Sequence, residues 1–150
     1  MDNLSQYSQP SYPITRGTLS GSLIVNDTVN NPDFSQLTKS LVNSGTVPNP
    51  NKNNTYVVFH VSPSVAVSGA CVTYCAYHSY IKTKFGDIAF GVIPDQGGDC
   101  TWGCGPGYND DPFLAVCDSA SHELSESVTD PHPDTGYIDS TADANEVGDL

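Results

Sequence analysis

The sequence predicts an α+β domain: a mixed β-sheet with two helices packed on it and a disulfide-pinned loop between strands and helix. Three observations carry this. Strand-like residues are concentrated between positions 54 and 93, and a single helical pattern runs over residues 112–128. Between them lies a segment with five glycines and two cysteines that fits neither pattern. With 150 residues the chain suits one core, because two domains of half this length would each bury too little surface.

Taken in order, residues 1–21 are rich in Ser, Tyr, Pro and Gly and read as a flexible N-terminal arm, leaving 22–150 as the single domain. Ser22-Leu-Ile-Val-Asn26 is expected to form a short strand. Asn31-Pro32-Asp33 starts a helix to about Asn43, with Phe34, Leu37, Leu41 and Val42 at helical spacing and Ser44-Gly45 ending it. Tyr56–Val61 is the best strand, and its continuous apolar run suggests a central position. Val65-Ala66-Val67 reads as a further short strand. Residues 76–81 and 87–93 read as a hairpin joined by a polar turn over 82–86. Asp110-Asp111-Pro112 is a strong helix start and Asp130-Pro131 a stop. Phe113, Val116, Cys117, Ala120, Leu124 and Val128 share one face, expected to pack into the core.

Charge is the most lopsided property. Five bases (Arg16, Lys39, Lys52, Lys82, Lys84) stand against seventeen acids, a formal net charge of −12, and fourteen of the acids lie at or after Asp87. Such a surface repels phosphate backbones and anionic lipid, so nucleic acid and membrane are excluded as partners. Cations are the natural counterpart, although acidity also keeps a protein soluble. No stretch is long and apolar enough to span a membrane, and no signal peptide is visible.

The cysteines are Cys71, Cys75, Cys100, Cys104 and Cys117, two C-x3-C pairs and one alone. With scarce Met and Lys and sequons at Asn3, Asn26 and Asn53, they point to an oxidising compartment, disulfides and a secreted protein. The pairing is open, and Cys117, on the apolar helix face, reads as buried or disulfide-bonded.

The chemistry centres on His122-Glu123-Leu124-Ser125-Glu126. At ~100° per residue, His122 and Glu126 fall ~40° apart, on the side of the helix roughly opposite the apolar stripe. An i, i+4 pair of metal-capable side chains is the geometry of the H-E-x-x-H zinc helix, whose Glu is the general base, and Glu123 holds that place. His132 extends the spacing towards a longer zincin-type pattern, with Glu126 in place of the second His and Thr129 in place of a Gly. The layout expected is therefore zincin-like: zinc on His122 and Glu126, with Asp130, His132 or Glu146 as third ligand. The same residues also suit the solvent side of an amphipathic helix. The oxygen-rich run Asp130, Asp134, Asp139, Asp143, Glu146 and Asp149 is the alternative, a calcium site or a solvated loop.

Four segments then resemble a known family, the phosphate-induced, EXORDIUM-like secreted proteins of plants and their microbial relatives. These are residues 37–48 followed by the Tyr56 strand, Cys71-Val-Thr-Tyr-Cys75-Ala-Tyr-His78-Ser, Ser121-His-Glu-Leu-Ser-Glu-Ser-Val-Thr-Asp-Pro131, and Asn145-Glu-Val-Gly-Asp-Leu150. The resemblance spans about residues 35–150 and implies an extracellular or cell-wall location, with a peptide or cell-wall component as partner and no settled catalytic activity. It implies a paired metal site, His122 and Glu126 with Glu146 or Asp149 returning from the tail. In the family the last segment is followed by a cysteine, which implies a C-terminally incomplete chain and a missing partner for Cys117. Two functions stay open: a zinc-dependent, peptidase-like hydrolase, or a non-enzymatic extracellular domain with a calcium or purely structural acidic site. Oligomeric state cannot be read from the sequence.

Overall fold

A computed structural model describes all residues except 1, 27–29, 48–49, 51–53, 99, 105–110, 134, 142–145 and 150. The regular elements are α1 (Phe34–Asn43), β1 (Tyr56–His60), β2 (Tyr77–Thr83), β3 (Gly86–Ile93), the short α2 (Cys100–Cys104) and α3 (Pro112–Thr129). Two 3-10 turns, Asp2–Tyr7 and Val147–Asp149, lie near the ends of the chain. The sheet has the order β1-β3-β2, with β1 parallel and β2 antiparallel to β3, so the α+β class and the mixed sheet are as expected.

The central strand is β3, which corrects the placement of the Tyr56 strand. Ile88, Phe90, Val92 and Ile93 of β3 are all but fully buried, whereas β1 leaves Val58 41% exposed and His60 exposed. A continuous apolar run does not separate an edge strand from a central one when helices cover the faces. Strand alternation divides the side chains cleanly. Phe90 and Val92 share one face with Tyr77, Ile81, Val57 and Phe59, and there Phe34 and Leu37 of α1 complete the apolar core. Gly91 and Ala89 are on the other face, in register with His78 and Tyr80 of β2 and with Val58 and Tyr56 of β1. That face meets α3. Gly91 is needed there, because a Cβ on it would overlap the Tyr56 hydroxyl.

The helix limits follow from their caps. Asp33 accepts the Gln36 N–H at the start of α1, and Gly45, with φ +81°, closes its end. Asp111 accepts the Phe113 N–H, Pro112 takes the first turn, and the Asp130 N–H closes α3 on the Glu126 carbonyl.

How α3 faces is the largest correction. Its buried residues are Ala115, Ser119, Glu123, Glu126, Ser127 and Thr129, while Phe113 is 71% exposed and Leu114 is exposed. Cys117 is therefore exposed and unpaired, neither buried nor in a disulfide. The helix lays its polar side on the sheet because that sheet face carries His78 and Tyr56 beside small Ala89 and Gly91.

Smaller expectations also shift. Residues 22–26 form no strand, and Ile24 is 88% exposed: three apolar residues without a neighbouring edge have nothing to pair with. Residues 65–67 form no strand either; there the Ala66 carbonyl caps the Asn31 N–H. In the segment read as an arm, Leu4 and Ile14 are buried and Tyr7 meets Tyr137 edge-on. Part of the glycine-rich loop is helical, as α2, and it is pinned by two disulfides, Cys71–Cys100 and Cys75–Cys104. One turn of α2 presents Cys100 and Cys104 in line with Cys71 and Cys75, so the pairs cross-link in register. The sulfurs of the Cys71, Cys100 and Cys104 group are thereby taken up in disulfides rather than free to bind metal. Of the sequons, Asn26 is exposed and Asn53 lies outside the described residues. Among the described residues no helix is long and apolar enough to cross a membrane.

Each bridge closes a loop with a sequence separation of 29. By chain entropy such a cross-link restricts the unfolded chain by about 3.5 kcal/mol. Removing Cys71–Cys100 as a double alanine variant is expected to cost about 2–4 kcal/mol in urea unfolding. Cys117→Ser, at an exposed thiol, should change stability by less than about 0.5 kcal/mol.

Candidate metal centre

The stripe Ser119, Glu123, Glu126, Ser127 and Asp130 follows helical spacing, so α3 delivers a polar row to the sheet where an apolar one is usual. Ser119 is absorbed by Gln96, whose side-chain N–H donates to its hydroxyl at 2.7 Å. Glu123 and Glu126, 5% and 4% exposed, meet His78, which β2 directs to the same face. His78 Nδ1 lies 3.3 Å from an oxygen of each glutamate, and its Nε2 donates to the Asp130 carbonyl at 3.0 Å. That last bond fixes the tautomer: a neutral ring carries its proton on Nε2 and turns the Nδ1 lone pair to the carboxylates.

His122 stands on the outer side of the same pair. Its Nε2 is 2.8 Å from Glu126 Oε1 and 3.4 Å from Asp149 Oδ1. The Val147–Asp149 turn folds back on α3 here, bringing Glu146 and Asp149 to a cleft of about 240 Å³. Close approach requires Gly148, since a Cβ there would sit 2.6 Å from Glu126 Oε1 and 2.8 Å from the His122 ring. Two oxygens in the group, Glu126 Oε1 and Glu146 Oε1, are buried with no hydrogen-bond partner. Glu126 Oε1 is nonetheless ion-paired with His122 at 2.8 Å.

Two histidines facing several carboxylates set the electrostatics. Burial pushes the His78 imidazolium down, but Glu123 and Glu126 beside it outweigh that and raise its pKa to about 10. The Glu126 carboxylate raises His122 to about 9 against the effect of burial. Burial raises Glu126, yet the two imidazoles prevail and lower it to about 2. Burial and the Glu126 charge push Glu146 up to about 7. Below the cluster, burial drives the Tyr56 hydroxyl well above its ordinary range.

His122, Glu123, Glu126, Glu146 and Asp149 line one cleft, the first three as their spacing on the helix suggested and the last two as the resemblance implied. Asp130 supports the group from beneath: fully buried, its carboxylate accepts the N–H and hydroxyl of Thr135. His132 is elsewhere, stacked on Tyr80 at 3.9 Å with its Nε2 3.3 Å from Asp87. Asp139 caps Thr141 in a local turn, and Asp134 and Asp143 lie outside the described residues. Among the described residues the acidic run is therefore dispersed, with Asp130, Asp139 and the Glu146/Asp149 pair in three different places. His78 is the member that sequence spacing did not select. Strand alternation, which puts it on the face opposite Tyr77 and Ile81, was the available signal.

In the metal-free protein the shifts give a stability window with a definite sign. The two histidines, raised above 6.5, stabilise fully below pH 6.5 and lose that contribution as pH rises through about 9 to 10. Glu146, also raised, is less favourable once ionised, so its contribution fades between pH 4.5 and about 7. Glu126, lowered, contributes above pH 4.5 and fails as pH falls towards about 2. Urea unfolding in chelator should show greatest stability near pH 4.5 and a decline from there through about pH 9 to 10, and His122→Gln should flatten the alkaline limb.

No protein-family model matches the chain, and no curated protein and no solved structure matches it either.

Proposed function

We propose that this chain is a secreted metal-binding domain with a zinc-type hydrolytic centre in the cleft between α3, β2 and the Val147–Asp149 turn. The observation that carries it is the gathering of two imidazoles and buried carboxylates on one cleft, where Glu146 Oε1 is buried without a hydrogen bond and Glu126 lies between His78 and His122. Leaving such groups buried without a partner is costly, and a cation removes that cost. Imidazole nitrogen with carboxylate oxygen is a zinc donor set, whereas calcium takes oxygen alone, so the chemistry favours zinc.

In this reading His122 and Glu126 hold the ion, and Glu146 or Asp149 completes the set from the returning tail. Bound zinc supplies Lewis acidity at neutral pH. Glu123, in the cleft beside Glu126, takes the proton from the attacking water, while the Asp130 carbonyl orients His78. A peptide carbonyl or a cell-wall component is the substrate class. The two disulfides and the exposed Asn26 support secretion, and kinship with the EXORDIUM-like family rests on the four segments that resemble it. A second reading, a non-enzymatic extracellular domain, draws on one observation: His78 and His122 already offset the carboxylates when protonated.

Elemental mass spectrometry of the purified protein tests the first reading. Near-stoichiometric zinc is expected, absent from His122→Ala/Glu126→Ala. Glu123→Gln should retain the metal and lower peptide hydrolysis by roughly 10²–10⁴-fold, the usual contribution of a general base. Zinc binding without hydrolysis in either form would favour the non-enzymatic domain; calcium, or no metal, would remove the zinc centre.

A further inference from the structure

Glu126 is shared. His78, Glu126 and Glu146 form one triad of potential ligands, and His122, Glu123 and Glu126 a second, each with its ligand atoms within 4.8 Å of one another. The two triads meet at a single carboxylate whose oxygens point opposite ways: Oε2 lies 3.3 Å from His78 and Oε1 2.8 Å from His122. Each side also has its own outer carboxylate. Glu146 stands by His78, and Asp149 is 3.4 Å from His122. A single-metal site has no use for this symmetry, because one ion on His122 leaves Glu146 Oε1 without a hydrogen-bond partner within the same cleft. Glu126 is 4% exposed, and its orientation is set by the two imidazoles that flank it, the positions from which two ions would share it.

We infer that the cleft holds two divalent ions bridged by the Glu126 carboxylate, one on His78 and Glu146 and the other on His122 and Asp149. A shared carboxylate suits ions about 3.5–4 Å apart, the spacing of two-metal hydrolytic centres. Neither position needs Glu123 as a ligand, which leaves it free as base. One imidazole and two carboxylates per ion suits zinc or manganese, and each position keeps room for a substrate oxygen. A substrate whose oxygen can contact both ions, a peptide carbonyl or a compact ester, is the class that such a pair selects. The bridge presupposes the metal-binding reading proposed above, and the experiment separates the two.

The test is metal stoichiometry on the full chain, loaded with zinc sulfate alone, dialysed against metal-free buffer and measured by elemental mass spectrometry. The expected result is two equivalents in the parent and one in His122→Ala, whose partly exposed ring can be removed with little loss of packing. His78→Gln, which keeps the volume and polarity of a buried position, should also retain one. Manganese loading should give an exchange-coupled paramagnetic spectrum. One equivalent in the parent would overturn the bridge while leaving the single zinc centre standing, and no zinc would overturn both. Two equivalents with uncoupled manganese signals, or with neither variant losing an ion, would place the second metal elsewhere and overturn the bridge.

Discussion

A carboxylate buried between two imidazoles organises this side of the molecule. Moving an ionised Glu126 out of water costs several kcal/mol, recovered only with opposite charge at close range. His78 supplies it from β2 and His122 from one helical turn away on α3. Other features serve that arrangement. Gly148 lets the C-terminal turn close over Glu126 and His122, where any side chain would collide. The Asp130 carbonyl at the end of α3 takes the far nitrogen of His78. The disulfides anchor residues 71 and 75 immediately before β2 and so hold the strand that carries His78.

The sheet divides its labour by face. Alternation sends Phe90, Val92, Ile81, Val57 and Phe59 towards α1, where the apolar core is concentrated. The opposite face presents His78, Tyr56, Ala89 and Gly91 to α3, polar groups among small residues, and this seam contributes chemistry more than hydrophobic stability. With only 37% hydrophobic residues the chain has little apolar surface to commit to a second core. Two cross-links supply by chain entropy some of what burial does not.

Helix limits were legible because they are written in local chemistry. Asp33, Gly45, Asp111, Pro112 and Asp130 act within one turn of where they stand, and all five lie at the helix ends that the residue types implied. The hairpin was legible from its alternation. The facing of α3 was not, because hydropathy ranks a helix by its own residues while packing is decided by the surface it meets. Phe113, Val116 and Cys117 make a convincing apolar stripe until the partner face proves to carry a histidine and a tyrosine. The same limit explains the rest. Tyr56–His60 looked central because edge and centre differ only in neighbours, residues 22–26 looked like a strand although no edge awaits them, and His132 kept a motif's spacing while its ring stacked on Tyr80. The motif spacing did bring His122, Glu123 and Glu126 together, since i, i+1 and i+4 on one helix need no tertiary information.

A helix that buries its polar face makes folding and cation binding compete for the same groups. Until pH approaches about 9 to 10, protons on His78 and His122 offset the carboxylates, and the cluster is self-sufficient. As pH rises those protons leave, and the repulsion among Glu123, Glu126, Glu146 and Asp149 is relieved only by another cation. An ion that binds the folded cleft and not the unfolded chain then adds its binding free energy to stability. The metal-free protein weakens further from about pH 6.5, where the unfolded chain gives up its imidazole protons, and the folded imidazoles become available as ligands at the upper end of that range, near 9 to 10. Proton and metal are alternative counter-charges for one buried site, and the position of Glu126 between two histidines makes that exchange possible without rearranging the fold.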